Sequence, residues 1–145
     1  MSRSISATTR SAPGVRSRDR YLFAAGVVLE QARDHLREGE MGLALEYAYR
    51  AALRTAGARI AASGVLARRR RVPSSAWDKL VLIDEAGARR AQEFRGYSAV
   101  RSRVSSGIER DPEPAMVQES IVRTKNFLAE AEAEAGWYAI TPDVA

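Results

Sequence analysis

A chain of 145 residues with 46% hydrophobic content is long enough for one domain with a single core, or one domain plus a tail. It has no cysteine and one histidine, His35, which excludes a disulfide scaffold, a cysteine nucleophile and a His–His metal site. Its 23 Lys+Arg against 18 Asp+Glu give a net charge of +5, which permits a nucleic-acid or acidic-protein partner without requiring one. Only Lys79 and Lys125 are lysines, so the positive charge is carried by arginine, whose fork suits phosphate and carboxylate. An Arg- and Ala-rich composition also follows from a GC-rich coding sequence, and charge alone does not decide between the two.

Residues 1–18 hold Arg3, Arg10, Arg16 and Arg18 among Ser, Thr, Pro13 and Gly14, with no apolar period. They are expected to form a disordered basic arm. The same stretch lacks the apolar run of a secretory signal, and no segment approaches the roughly 18 apolar residues of a membrane span. A cytoplasmic protein without a membrane partner is expected.

The domain is placed at residues 19–136. Asp19 is a plausible N-cap, and Leu22, Ala25, Leu29, Ala32 and Leu36 follow at helical spacing to a stop near Gly39. Glu40 reopens the chain. Ala44, Tyr47, Ala48, Ala51, Thr55, Ala58 and Ala62 make a second stripe of small residues, ending near Gly64. The short connection forces these two helices antiparallel. Pro73 closes the following loop, and Ser74 or Ser75 caps a third helix carrying Trp77, Leu80, Val81 and Leu82, with a kink or split at Gly87. A fourth helix is expected over 88–108, from Phe94, Tyr97, Arg101, Val104 and Ile108. A fifth opens at Pro112 or Pro114, carries Val117, Ile121, Thr124, Phe127, Leu128 and Ala131, and closes at Gly136. Residues 137–145 form a C-terminal tail in which Trp137 and Tyr138 are candidates to pack back. No strand-period segment is present, so the expected class is all-α: an antiparallel up-and-down bundle of about five helices.

Three places carry chemistry. Arg68, Arg69, Arg70 and Arg71 lie in the loop before the third helix and form the strongest electrostatic feature of the chain, read either as a phosphate-binding cluster or as a solvated basic loop. Arg95, Tyr97, Ser98, Arg101 and Arg103 crowd two turns of the fourth helix. A buried arginine there must meet a carboxylate, a partner chain or a ligand, or else snorkel at the seam edge. His35, late in the first helix, suits a structural role at a helix C-terminus. Asp84 and Glu85 diverge on a helix and read as a salt bridge to Arg89 rather than a catalytic pair. Tyr47, Tyr49 and Trp77 add apolar surface beyond what one small bundle hides, which points to a homodimer.

The hairpin from Leu29-Glu30-Gln31-Ala32-Arg33 to Gly39, followed by Ala44-Leu45-Glu46-Tyr47-Ala48-Tyr49-Arg50-Ala51-Ala52-Leu53, resembles a HEPN domain over roughly residues 20–136. HEPN proteins carry a similar second helix with alanine, tyrosine, arginine and two alanines after a glycine. The Phe94-Arg95-Gly96-Tyr97 segment opening a late helix is similar to that of small stand-alone HEPN proteins of actinobacterial type. The resemblance implies a helical bundle of the kind found in toxin–antitoxin pairs and RNA-processing proteins. Active HEPN ribonucleases place an arginine, then four to six intervening residues, then a histidine, at a dimer interface. Here Val28, Leu29 and Glu30 occupy those positions before His35, and no histidine follows Arg95.

The resulting expectation is a HEPN-like domain without catalytic residues. It would dimerise and bind RNA or a partner protein through Arg68, Arg69, Arg70, Arg71, Arg95, Tyr97, Arg101 and Arg103, with no cofactor and no metal. The alternative is a divergent metal-independent ribonuclease using Arg95, Tyr97 and Arg101, with His35. A helical-repeat adaptor ranks last, because no period of about 34 residues recurs.

Overall fold

Proline and glycine mark some of this chain's helix boundaries, and capping side chains mark others. A computed structural model describes residues 13–137. The first helix, α1 (Pro13–Arg37), opens at Pro13 rather than at Asp19. A proline's fixed φ suits the first turn, where its missing N–H has no helical partner to lose. Gly14 then lets the helix press on α2, since a Cβ there would come 2.6 Å from the Ala61 carbonyl oxygen. Residues 13–18 therefore belong to the bundle and not to an arm. The other residues assigned to the basic arm, 1–12, lie outside the described residues, as do 138–145 of the C-terminal tail.

Helix α2 (Met41–Ala62) follows, then a 3-10 turn (Leu66–Arg68), α3 (Ala76–Ile83), α4 (Glu85–Ser105) and α5 (Pro114–Glu134). No strand occurs among the described residues, so the all-α expectation holds. The division between α3 and α4 falls at Asp84, not at Gly87. Asp84 is extended (φ −167°, ψ 179°) and its carboxylate caps α4 by accepting from the Gly87 N–H at 2.7 Å. Gly87 serves packing instead, since a Cβ on it would collide with the Leu80 carbonyl oxygen; glycine permits the close approach of the two helices. Ser75 caps α3, accepting from the Asp78 N–H. At its far end α4 stops at Ser105 instead of 108. Gly107 adopts φ +82°, and the Ile108 N–H folds back to the Arg103 carbonyl oxygen at 2.9 Å.

The small-residue helix is the centre of the molecule. Helix α2 packs against α1, α3, α4 and α5. Its Ala44, Ala48, Ala51, Ala52 and Ala56 are fully buried, and side chains this small let neighbouring helices approach closely. The larger side chains fill the space around it: Leu22 and Leu29 from α1, Leu80 from α3, Phe94 from α4, and Val117 and Phe127 from α5. Phe94 stacks on Trp77 and on Phe127, each at 5.5 Å between centroids. Trp77 Nε1 donates to the Tyr49 hydroxyl at 2.8 Å, so both polar tips are satisfied inside. Tyr49 and Trp77 are thus core residues (6% and 5% exposed) and do not supply outward apolar surface; Tyr47 is half-buried against His35. Buried hydroxyls are partnered too: Thr55 donates to the Ala51 carbonyl at 2.9 Å, and Thr124 to the Ser120 carbonyl at 2.8 Å. Trp137 packs against the core edge beyond α5.

Candidate functional site

The arginines of this chain fall into two environments. Past α2, Leu66 is the buried anchor of the 3-10 turn, and the chain leaves it extended at Arg69 (φ −90°, ψ 144°) on the way to Pro73. With only Leu66, Ala67, Val72 and Pro73 beside it, the run 68–71 has no neighbouring acid in sequence. All four side chains are exposed and line one open depression of about 710 Å³. Arg69 Nε donates to the Arg71 carbonyl oxygen at 3.3 Å, which helps hold the loop's shape. Among the described residues, none of the four forms an ion pair with a carboxylate, whereas Arg59, Arg90, Arg95, Arg101 and Arg103 all do.

The arginines of α4 point in different directions. Arg95 pairs with Asp78 of α3. Arg101 forks onto Glu46 of α2, with Nε at 2.7 Å and Nη2 at 3.1 Å, and lies over the Tyr49 ring at 5.3 Å. Arg103 turns to Glu109 in the connection to α5, at 3.1 Å. Tyr97 is buried and donates to Glu119 of α5 at 2.7 Å. Its burial, reinforced by Glu119, raises the phenol above its usual range and keeps it protonated. These four residues are not gathered into one face: each is occupied by a carboxylate on a different element. The Arg101 guanidinium and, secondarily, that of Arg50 hold the Glu46 carboxyl below the usual carboxylate range.

Three charged clamps were not singled out from the sequence. Arg59 is the most enclosed arginine in these pairs, with a side chain 9% exposed; it bridges Asp84 at 2.7 Å and Glu134 at 3.1 Å, tying α2 to the α3–α4 junction and to the end of α5. Asp84 therefore bonds Arg59, not Arg89 as expected, and the Arg59 contact lowers its pKa. Arg90 bonds Glu93 and Glu130 at 2.8 and 2.6 Å, joining α4 to α5. Arg123 meets Glu93 and Glu119. The available signal for Arg59 was its position three residues after Ala56 and four after Thr55, both fully buried. His35 is half-buried at the end of α1, with Nδ1 2.6 Å from Glu40 and its ring 4.9 Å from that of Tyr47.

Residues 37–132 match the family described as SAV_6107-like HEPN. The chain belongs to the HEPN superfamily. No curated protein and no solved structure matches it. The matched span of this HEPN chain takes in α2, the arginine loop, α3 and α4 whole, and most of α5. His35 precedes that span, so the matched part of the HEPN domain contains no histidine. No helix of the described residues is long and apolar enough to cross a membrane.

Proposed function

We propose that this HEPN domain is a homodimeric RNA-binding module that holds RNA through arginines 68–71 and does not cleave it. The observation that carries the reading is the loop itself: four adjacent guanidinium groups share one open depression without a carboxylate among the described residues. Guanidinium groups in that state keep their charge and donors available for phosphate oxygens. Arg95, Arg101 and Arg103 are already engaged and are assigned a holding role instead.

HEPN domains commonly dimerise. On this chain Phe23 (69% exposed) and Val27 (45%) stand one turn apart on α1 and offer the outward apolar surface that Tyr49 and Trp77 do not. The ribonuclease reading has less support. His35, Arg95 and Tyr97 each turn to a different carboxylate, Glu40, Asp78 and Glu119. The proposed setting is the cytoplasm, where a cognate acidic protein of toxin–antitoxin type would compete for the same arginines.

Binding of labelled single-stranded RNA to the full chain, followed across a salt series, tests this. A log–log slope of about −3 is expected, from about −0.7 for each of four phosphate contacts on a single strand. Intact RNA should be recovered after incubation. Absence of binding, binding indifferent to salt, or cleavage products would each refute the reading. Sedimentation analysis tests the dimer: Phe23→Asp should convert it to monomer.

A further inference from the structure

The corner between α1 and α2 brings three ligand-bearing side chains together. Gly39 adopts φ +77° there. Its N–H donates to the Leu36 carbonyl oxygen at 3.0 Å, while the Glu40 N–H donates to the His35 carbonyl oxygen at 2.9 Å. This crossed pair ends the helix through a left-handed residue. It also folds Glu40 back over the last turn of α1, where its carboxylate reaches His35 Nδ1 at 2.6 Å. Glu38 projects from the same turn. One imidazole nitrogen and two carboxylate oxygens consequently lie within 4.8 Å of one another.

The local charge pattern is a separate observation. Neighbouring acids on α1 are taken by arginines, Glu30 by Arg33 and Asp34 by Arg37. Among the described residues, Glu38 and Glu40 have no arginine or lysine within ion-pair distance, in a chain of net charge +5. The Tyr47 ring against His35 restricts the imidazole's position.

We propose that His35, Glu38 and Glu40 form a binding site for a divalent transition-metal ion, zinc being the probe of choice. One nitrogen and two oxygens form a donor set that zinc accepts, at bond lengths of about 2.0–2.2 Å. Small rotations of the exposed Glu38 and Glu40 side chains toward the half-buried His35 bring three atoms already this close onto one ion. Three protein ligands leave room for water, and the ion takes the place of the proton between His35 and Glu40. The bound ion staples the end of α1 to the start of α2, just at the border of the matched HEPN span. This site is independent of the arginine loop.

The chain's single histidine makes the test direct. Titrating zinc into the full chain should give one ion per chain by calorimetry, shift the His35 ring resonances in NMR spectra, and raise the melting temperature. His35→Ala should lose binding. Glu38→Gln and Glu40→Gln should each weaken it by at least about tenfold, the low end for removing even an outer-shell partner. Changing arginines 68–71 to Gln should leave zinc affinity intact. Imidazole resonances that stay still at saturating zinc, or a Glu38→Gln variant that binds like the native chain, would overturn the proposal. Those two readings stand even if His35→Ala does not fold.

Discussion

The loop at 68–71 and the helix α4 are both dense in arginine, yet they treat it in opposite ways. On α4, helical geometry points Arg95, Arg101 and Arg103 to different sides, and each of these three meets a carboxylate: Asp78 for Arg95, Glu46 for Arg101, Glu109 for Arg103. In the loop, acid-free sequence neighbours leave four side chains exposed around a shared depression. Residue type is therefore a poor guide to an interaction surface. What distinguishes Arg95, Arg101 and Arg103 from the loop arginines is that the fold delivers an anion to each of them. The paired helix arginines cross-brace a bundle whose central helix buries a stripe of alanines; the loop arginines tie no helix to another.

Removing a brace should produce the largest change, and Arg59 is the place to do it. Its enclosed side chain joins α2 to Asp84 and Glu134. Breaking a fully buried pair costs about 3–5 kcal/mol, because a charge is stranded without water. Here Asp84 and Glu134 are 44% and 60% exposed and recover hydration, so Arg59→Ala should lower unfolding stability by about 2 kcal/mol. Chemical denaturation measures it. A loss no bigger than that from a loop arginine would erase the distinction between the regions.

Acid sharpens the same contrast. Arg101 and Arg59 hold the Glu46 and Asp84 carboxyls below their ordinary range. The unfolded chain then binds protons that the folded chain does not, so stability drops as pH falls through and below the ordinary carboxylate range. Glu46→Gln should reduce stability near neutrality by about 1 kcal/mol, since two arginines lose a partially exposed anion, and should flatten the acid limb of a stability–pH curve. Glu132 has the opposite sign: burial raises its pKa, so Glu132→Gln should stabilise the chain at neutral pH. An acid limb identical in Glu46→Gln and the native chain would remove the Arg101 clamp from the account.

Much of the fold was readable because helical period and caps agree in this sequence. The alanine stripe of α2, the Ser75 cap and the opening of α5 at Pro114 follow from local chemistry. The misplacements came where tertiary contact outvoted local signals. Residues 13–18 look polar and structureless until Gly14 meets Ala61 across the hairpin. Gly87 looks like a helix breaker until Leu80 lies against it and Asp84 takes the cap. The candidate site divided along the same line. The 68–71 cluster is contiguous, so the sequence alone displays it. Pairings such as Arg101–Glu46 join residues far apart in the chain, and no periodicity reveals which acid a given arginine will find.

The smallest expected effect on stability is the most informative one for function. Replacing arginines 68–71 together with Gln removes four positive charges that no carboxylate among the described residues engages. Because these side chains are exposed and lie outside the core, the change should move unfolding stability by no more than about 0.5 kcal/mol. The chain loses nearly all of its net charge of +5 in that variant, so some relief of self-repulsion works against any loss of packing. RNA affinity should fall steeply at the same time, and the salt slope should flatten. Arg95→Gln is the matched control: it deletes a cation from the pair with Asp78 and should leave the salt slope in place. If the loop variant instead unfolds early, its arginines are braces after all. If Arg95→Gln flattens the slope as much as the loop variant does, the helix shares the binding surface, and the separation between the two regions fails.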